Sequence, residues 1–191
     1  MTEQPVRVAV LVSGGGTNLQ ALLDALHDST LARVARVISN RPDAGAIGRA
    51  RRSAVPTTIL RDPSDAAELL AALEGMRLVV LAGYLKLVPA PVVSQFRGRM
   101  INIHPALLPA FGGPGMYGQR VHTAVLASGA TESGATVHFV DEVFDRGAII
   151  AQERVRIEPG DTPERLAARV LEAEHRLLPR VVLELARRIR E

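Results

Sequence analysis

The chain of 191 residues contains no cysteine. That excludes disulfides, thiolate zinc sites and a thiol nucleophile, and it leaves His, Asp, Glu, Ser, Thr and Asn to carry any chemistry. The same lack suits a reducing compartment, so a cytoplasmic location is expected. Long apolar runs are missing as well. Leu78–Ala82 stops at Gly83, far below the ~20 residues of a membrane helix, and no membrane partner is expected. The start, MTEQPVRVAVLVSGGG, has an acidic residue, a very short apolar run and no A-x-A site. It reads as the approach to a first strand, not as a signal peptide.

Aromatic residues make up 3% of the chain, and Lys86 is the only lysine. The sequence pI near 10.1 therefore reflects arginine, although the net charge is only +3. Arginine keeps its proton to very high pH, so this pI overstates basicity at neutrality. The arginines are interleaved with acids, and stacking aromatics are scarce, so no nucleic-acid partner is expected. Arg187, Arg188 and Arg190 read as cations closing a last helix at its negative dipole end. Hydrophobic residues reach 47%, normal for a folded chain, and the length fits one domain with a core of ordinary size.

β-Branched runs alternate with amphipathic stretches. Strands are expected at Arg7–Val12, Val34–Ser39, Thr57–Leu60, Leu78–Ala82 and Arg99–His104. Helices are expected over Asn18–Asp28, Ala44–Arg52 and Asp65–Leu73 between them. A Pro/Gly-rich stretch, Pro105–Gly118, then leads to a short helix, His122–Ser128. Thr136–Val140 and Ile149–Val155 read as strands that pair as a hairpin or flank the sheet. Thr162–Arg188 is helical, with Asp161 or Thr162 as N-cap and Pro179 kinking or splitting it. The fold class is therefore α/β: an open, mostly parallel Rossmann-like sheet with helices on both faces and an antiparallel C-terminal addition. No repeat, linker or second domain is visible, so residues 1–191 read as a single domain.

Two places carry chemistry. The first is the strand–turn–helix Val12-Ser13-Gly14-Gly15-Gly16-Thr17-Asn18. Glycines let backbone N–H groups approach an anion, and a helix start adds positive dipole. The turn is not G-x-G-x-x-G, since Leu19 stands at the third glycine, and it is not a P-loop. Ser39-Asn40 follow the second strand where a dinucleotide site has an acid. A small phosphate is thus favoured over a dinucleotide; a tight turn without ligand is the plainer alternative.

The second is Met100-Ile101-Asn102-Ile103-His104-Pro105. Residues i and i+2 of a strand share a face, so Asn102 and His104 project together at the strand's C-terminal end, where open α/β sheets bind ligands. The loop Val140-Asp141-Glu142-Val143-Phe144-Asp145-Arg146-Gly147 holds three acids. Any of Asp141, Glu142 and Asp145 could reach His104 and raise its pKa. Such a histidine moves protons near neutrality, and an asparagine amide donates to a developing oxyanion. Solvated loop acids and a satisfied strand histidine are the plainer alternative. No G-x-S-x-G elbow supports a serine triad, and none of the five histidines has H-x-x-x-H or H-E-x-x-H spacing, so no metal is expected. His27 reads as structural, and His138 as a core or supporting residue.

The segments VLVSGGGTNLQALLDA, VISN, LAGYLKLVP, INIHPALLP, GATVHFVDEVFDRGAIIAQ and GDTPERLAARVLEAEHRLLP together resemble the folate-dependent phosphoribosylglycinamide formyltransferases of purine biosynthesis. The resemblance covers nearly the whole chain. It implies transfer of a formyl group from 10-formyltetrahydrofolate to the glycinamide amine of a phosphoribosyl substrate. It assigns Asn102 to the formyl oxygen, His104 to proton transfer and Asp145 to orienting His104 and raising its pKa. It assigns Gly16, Thr17 and Asn18 to the substrate phosphate, and Glu174 to ribose hydroxyls. Leu85, Lys86, Leu87, Val88, Asn102, Val140, Asp141 and Glu142 would line the folate pocket. Small molecules are the implied partners, and the enzyme is a monomer or homodimer.

The chain departs from the family pattern in three places. Ala110–Arg120 is longer than the usual loop, and His122 follows it near the substrate. Arg61 stands where a folate-contacting arginine is usual but is a poor match. Arg146 replaces a small residue. A formyltetrahydrofolate hydrolase would bring an extra N-terminal domain, and a methionyl-tRNA formyltransferase an extra C-terminal one; neither is expected.

Overall fold

The β-branched run VRVAVLV forms the central strand β1 (Val6–Val12) of one seven-stranded sheet. A computed structural model describes residues 4–191 of the chain. The acidic lead-in at residues 1–3, read against a signal peptide, lies outside the described residues. β1 is followed by α1 (Thr17–Leu26), β2 (Ala32–Ser39), α2 (Gly45–Arg52), β3 (Thr57–Ile59), α3 (Ala66–Ala72) and β4 (Leu78–Leu81). Then come α4 (Ala90–Gln95), β5 (Met100–His104), α5 (Gln119–Ala127), β6 (Glu132–Phe139), β7 (Ile149–Arg156) and α6 (Pro163–Arg190). The sheet order is β3-β2-β1-β4-β5-β6-β7. Neighbours are parallel from β3 to β5 and antiparallel from β5 to β7. The expected α/β fold with an antiparallel addition is therefore the observed one, and the last two strands form a hairpin within the sheet.

Alternation along the strands sends side chains into two cores. Val8, Val10, Ile101 and Ile103 pack with Leu19, Leu22, Ile47, Leu177 and Leu178 under α1, α2 and α6. Ala9, Leu11, Val79 and Met100 pack with Leu69, Val92 and Val93 under α3 and α4. A third cluster joins Ala106 and α5 to Leu166 and Val170 at the start of α6.

Capping follows side-chain chemistry. Asp65 accepts from the N–H groups of Ala67 (2.8 Å) and Glu68 (3.2 Å). Of the two N-cap candidates for α6, Thr162 serves, accepting from the Arg165 N–H at 3.3 Å, while Asp161 pairs with Arg169. Three expectations change. Pro179 does not split α6, which runs unbroken for 28 residues. Leu177, Leu178, Val181 and Val182 around it are fully buried, and their packing outweighs the ~3 kcal/mol that an interior proline costs. α4 went unread because six residues hold too little periodicity, and α5 begins at Gln119, three residues before His122.

Leu177 is completely buried in the larger core. Leu177→Ala is expected to lower the unfolding free energy by ~2–5 kcal/mol. Urea denaturation of the purified variant measures this, and a loss below about 1 kcal/mol, as at surface sites, would contradict the packing described.

Candidate active site

β1 has β2 on one side and β4 on the other, so the chain reverses its direction of growth across the sheet there. Loops leaving the C-terminal ends of these strands diverge and open a crevice. The glycine turn leaves β1, and residues 83–88 leave β4. Ser13 ties them together: its Oγ accepts from the Leu85 N–H at 2.9 Å and donates to Asn40 Oδ1 at 2.6 Å. Gly16 takes φ +76° at the N-cap of α1, and a Cβ there would lie 2.6 Å from the Ala46 Cβ. Only glycine allows α1 and α2 to approach this closely.

The crevice deepens into a cavity of about 470 Å³. Asn102 and His104 line it from the end of β5, on the sheet face they share with Met100. Asp145 reaches them from the loop after β6. Its backbone is left-handed at φ +56°, a conformation that aspartate tolerates better than most residues. Gly147 lets this loop fold back tightly, since a Cβ there would collide with the Phe139 carbonyl.

The Asp145 carboxylate stands at the centre of the polar groups. Oδ2 accepts from the Gly113 N–H (2.9 Å) and lies 3.6 Å from His104 Nδ1. Oδ1 lies 3.4 Å from both His138 Nε2 and Asn102 Nδ2. His104 Nε2 is 2.8 Å from the Phe111 carbonyl. A carbonyl only accepts, so Nε2 carries a hydrogen and Nδ1 is the nitrogen that gains or loses a proton.

Burial governs the charge states. It pushes His104 below the usual histidine value, with His138 adding to that effect; the Asp145 charge and the Phe111 carbonyl oppose it and do not win. The expected upward pull of Asp145 therefore exists, but the net direction is the reverse of the expectation. Burial raises the Asp145 carboxyl, yet His138, His104 and the Gly113 N–H together bring it below the ordinary range. Glu174 is 6% exposed, and burial pushes it up to about 7 against a 3.4 Å hydrogen bond from Asn18 Nδ2. His122 is lowered by burial and by the neighbouring charge of His104.

The walls separate the sequence-based residues into two groups. Asn18, Leu85, Lys86, Leu87, Val88, Asn102, His104, Val140, Asp141, Asp145, Glu174 and His122 all line the cavity. Gly16 and Thr17 do not, since Gly16 faces Ala46. Glu142 is exposed and outside the lining, at a turn where Asp141 Oδ1 accepts from the Val143 N–H at 2.9 Å. Arg61 bonds Glu68 away from the cavity, and Arg146 is exposed outside it. The long loop over residues 110–120 covers one side, with Gly113, Met116 and Tyr117 in the wall. Ser13 and Gly113 were not singled out for the site, and His138 was read only as a core or supporting residue. Their roles depend on which strands and loops become neighbours, which no local pattern reveals.

A model described as formyl transferase matches residues 6–182. The chain belongs to the formyl transferase family. Within it, the chain is 38% identical over 185 residues to phosphoribosylglycinamide formyltransferase of Haemophilus influenzae, covering 92% of this chain and 85% of that one. It is 47% identical over 186 residues to the chloroplastic phosphoribosylglycinamide formyltransferase of Arabidopsis thaliana, covering 92% of this chain and 64% of that one. The chain thus spans less than two thirds of that plant relative. The crystal structure of glycinamide ribonucleotide transformylase 1 from Geobacillus kaustophilus superposes with a TM-score of 0.86 at 40% identity, over 96% of this chain and all of that one.

Two outcomes test these charge states. In Asp145→Asn, His104 loses the charge that holds its pKa up, so its NMR titration midpoint should move to lower pH; an unchanged or higher midpoint would contradict the geometry. Glu174 binds its proton more tightly folded than unfolded, which stabilises the fold below the unfolded value of 4.5. That contribution is lost as pH rises through about 7. The loss runs from the unfolded value up to the folded one, so Glu174→Gln should gain stability relative to wild type between about pH 5 and pH 8, by roughly a few kcal/mol in total. Equilibrium unfolding at both pH values measures the difference.

Proposed function

We propose that residues 1–191 act as one formyltransferase domain that moves the formyl group of 10-formyltetrahydrofolate to the amine of 5-phosphoribosylglycinamide, in de novo purine biosynthesis. The products are N-formylglycinamide ribonucleotide and tetrahydrofolate. The observation that carries this reading is the convergence of Asn102, His104 and Asp145 on one cavity that Asn18 and Glu174 also line. The glycine turn and the start of α1 receive the substrate phosphate, with Gly16, Thr17 and Asn18 supplying donors. Glu174 accepts from the ribose hydroxyls. Leu85, Lys86, Leu87, Val88, Val140 and Asp141 take the folate, whose flat pterin faces suit aliphatic side chains while its polar edges need hydrogen-bonding groups of the wall.

The substrate amine attacks the formyl carbon and forms the new C–N bond, and the carbonyl electron pair moves onto oxygen. Asn102 donates to that oxygen. Neutral His104 takes the proton released by the attacking nitrogen at Nδ1. The Asp145 carboxylate then stabilises the imidazolium. As the tetrahedral intermediate collapses, His104 returns the proton to N10 of the departing folate, so one proton leaves the amine and one arrives at the leaving nitrogen. A buried histidine whose resting state is neutral suits this relay, because it must accept before it donates. No metal takes part, and both partners are small molecules. The enzyme works in the cytoplasm as a monomer or homodimer. Among the described residues no helix is long and apolar enough to cross a membrane.

An assay with 10-formyltetrahydrofolate, with and without glycinamide ribonucleotide, tests the reading. Formylated product that requires the amine supports it. Formate released equally without the amine, or no turnover at all, overturns it. Asn102→Ala should reduce kcat by roughly 10²–10³ with the fold intact, and normal turnover in Asp145→Ala would remove that acid from the mechanism.

A further inference from the structure

His138 is a buried polar residue that the proposed reaction does not use. It is 2% exposed, lies on β6 and stands directly opposite Asn102 in the antiparallel register with β5. Cross-strand partners share a face, so both side chains reach the same edge of the cavity. The β6–β7 ladder shifts register between Val137 and His138, the kind of irregularity that re-aims a side chain.

The contacts of the ring bear on its chemistry. Nδ1 is 2.8 Å from the Phe139 carbonyl, which only accepts, so Nδ1 carries the hydrogen. Nε2 has two neighbours: Asp145 Oδ1 at 3.4 Å, which a hydrogen on Nε2 would serve, and the nearer Asn102 Nδ2, from which only a bare Nε2 accepts. Asn102 Nδ2 lies 3.1 Å from it, so one amide hydrogen is donated to His138. The opposite amide orientation would set Asn102 Oδ1 against the Nε2 lone pair and against the Asp145 carboxylate, two acceptor–acceptor contacts. The second Nδ2 hydrogen meets only a long 3.4 Å contact to Asp145 Oδ1. That weakly engaged hydrogen is the one available to a stronger acceptor.

We propose that His138 is a positioning residue that, through its Nδ1–H tautomer, locks the donor end of the Asn102 amide toward the reacting carbonyl. This rests on the reading of Asn102 as the oxyanion donor. His138 touches no substrate; it selects which end of Asn102 the substrate meets. Without it only the long Asp145 contact opposes a rotation of the amide that presents Oδ1, which repels a developing negative charge.

The tautomer is tested first, on the ligand-free wild-type protein, by long-range 1H–15N NMR at neutral pH. The expected pattern is Nδ1–H with bare Nε2; an Nε2–H ring or an imidazolium overturns the lock, whatever reaction the enzyme performs. Kinetics then read its consequence. His138→Leu should lower kcat about tenfold or more, but by no more than the roughly 10²–10³ expected of Asn102→Ala, with both KM values little changed. His138→Gln, whose Oε1 can stand near the Nε2 position, should recover much of that loss. In the Asn102→Ala background His138→Leu should cause no further fall, because a residue that acts only through Asn102 has nothing left to position. Equal falls in both backgrounds, or a normal kcat in a folded His138→Leu, overturn the proposal. Absence of formyl transfer by the wild type would instead count against the proposed function and leave the tautomer result standing.

Discussion

The Asp145 carboxylate is the contact on which the rest of the site depends. A single acidic group, nine-tenths buried, faces His104, His138 and Asn102 and takes the Gly113 N–H. A carboxylate has about four acceptor positions, so it can take the Gly113 N–H, the Asn102 amide and a protonated His104 at once. Its left-handed backbone is the local cost of bringing a loop residue to the end of a strand. Gly147, which admits no side chain beside Phe139, and Gly112, where a Cβ would lie 3.1 Å from the Asp145 Cβ, are the two close approaches that hold it there.

Around this anion, burial and charge oppose one another, and the outcome differs by residue. His104 feels Asp145 but is dominated by desolvation, so its resting ring is neutral. Asp145 is also desolvated, yet its hydrogen bonds and neighbouring rings win, so it stays ionised. Glu174 has only one long hydrogen bond and loses to burial. One cavity thus holds an ionised carboxylate, a neutral imidazole and a carboxyl poised near neutrality. A separation of protonation states of this kind is what acid–base chemistry requires.

The long loop over residues 110–120 is part of this balance. Through the Phe111 carbonyl it decides which nitrogen of His104 exchanges protons, and through the Gly113 N–H it orients Asp145.

The fold was legible because it rests on local periodicities. Alternating β-branched runs and helical stripes marked nearly every strand and helix, and the misses were a helix of six residues and a proline tolerated inside a long one. Asn102 and His104 were legible for the same reason: two polar residues at i and i+2 of an apolar strand share a face whatever surrounds them. The sequence by itself therefore determined the layered fold, the paired side chains at the end of β5 and the glycine turn that opens α1. Tertiary structure alone decided that Asp145 rather than Asp141 or Glu142 meets His104, that Glu142 and Arg146 face away, and that His138 stands across from Asn102. These choices depend on strand register and on how loops distant in sequence fold over one another. The sign of the His104 shift was decided there too, since desolvation is a property of everything packed around a group and not of the group's neighbours in the chain.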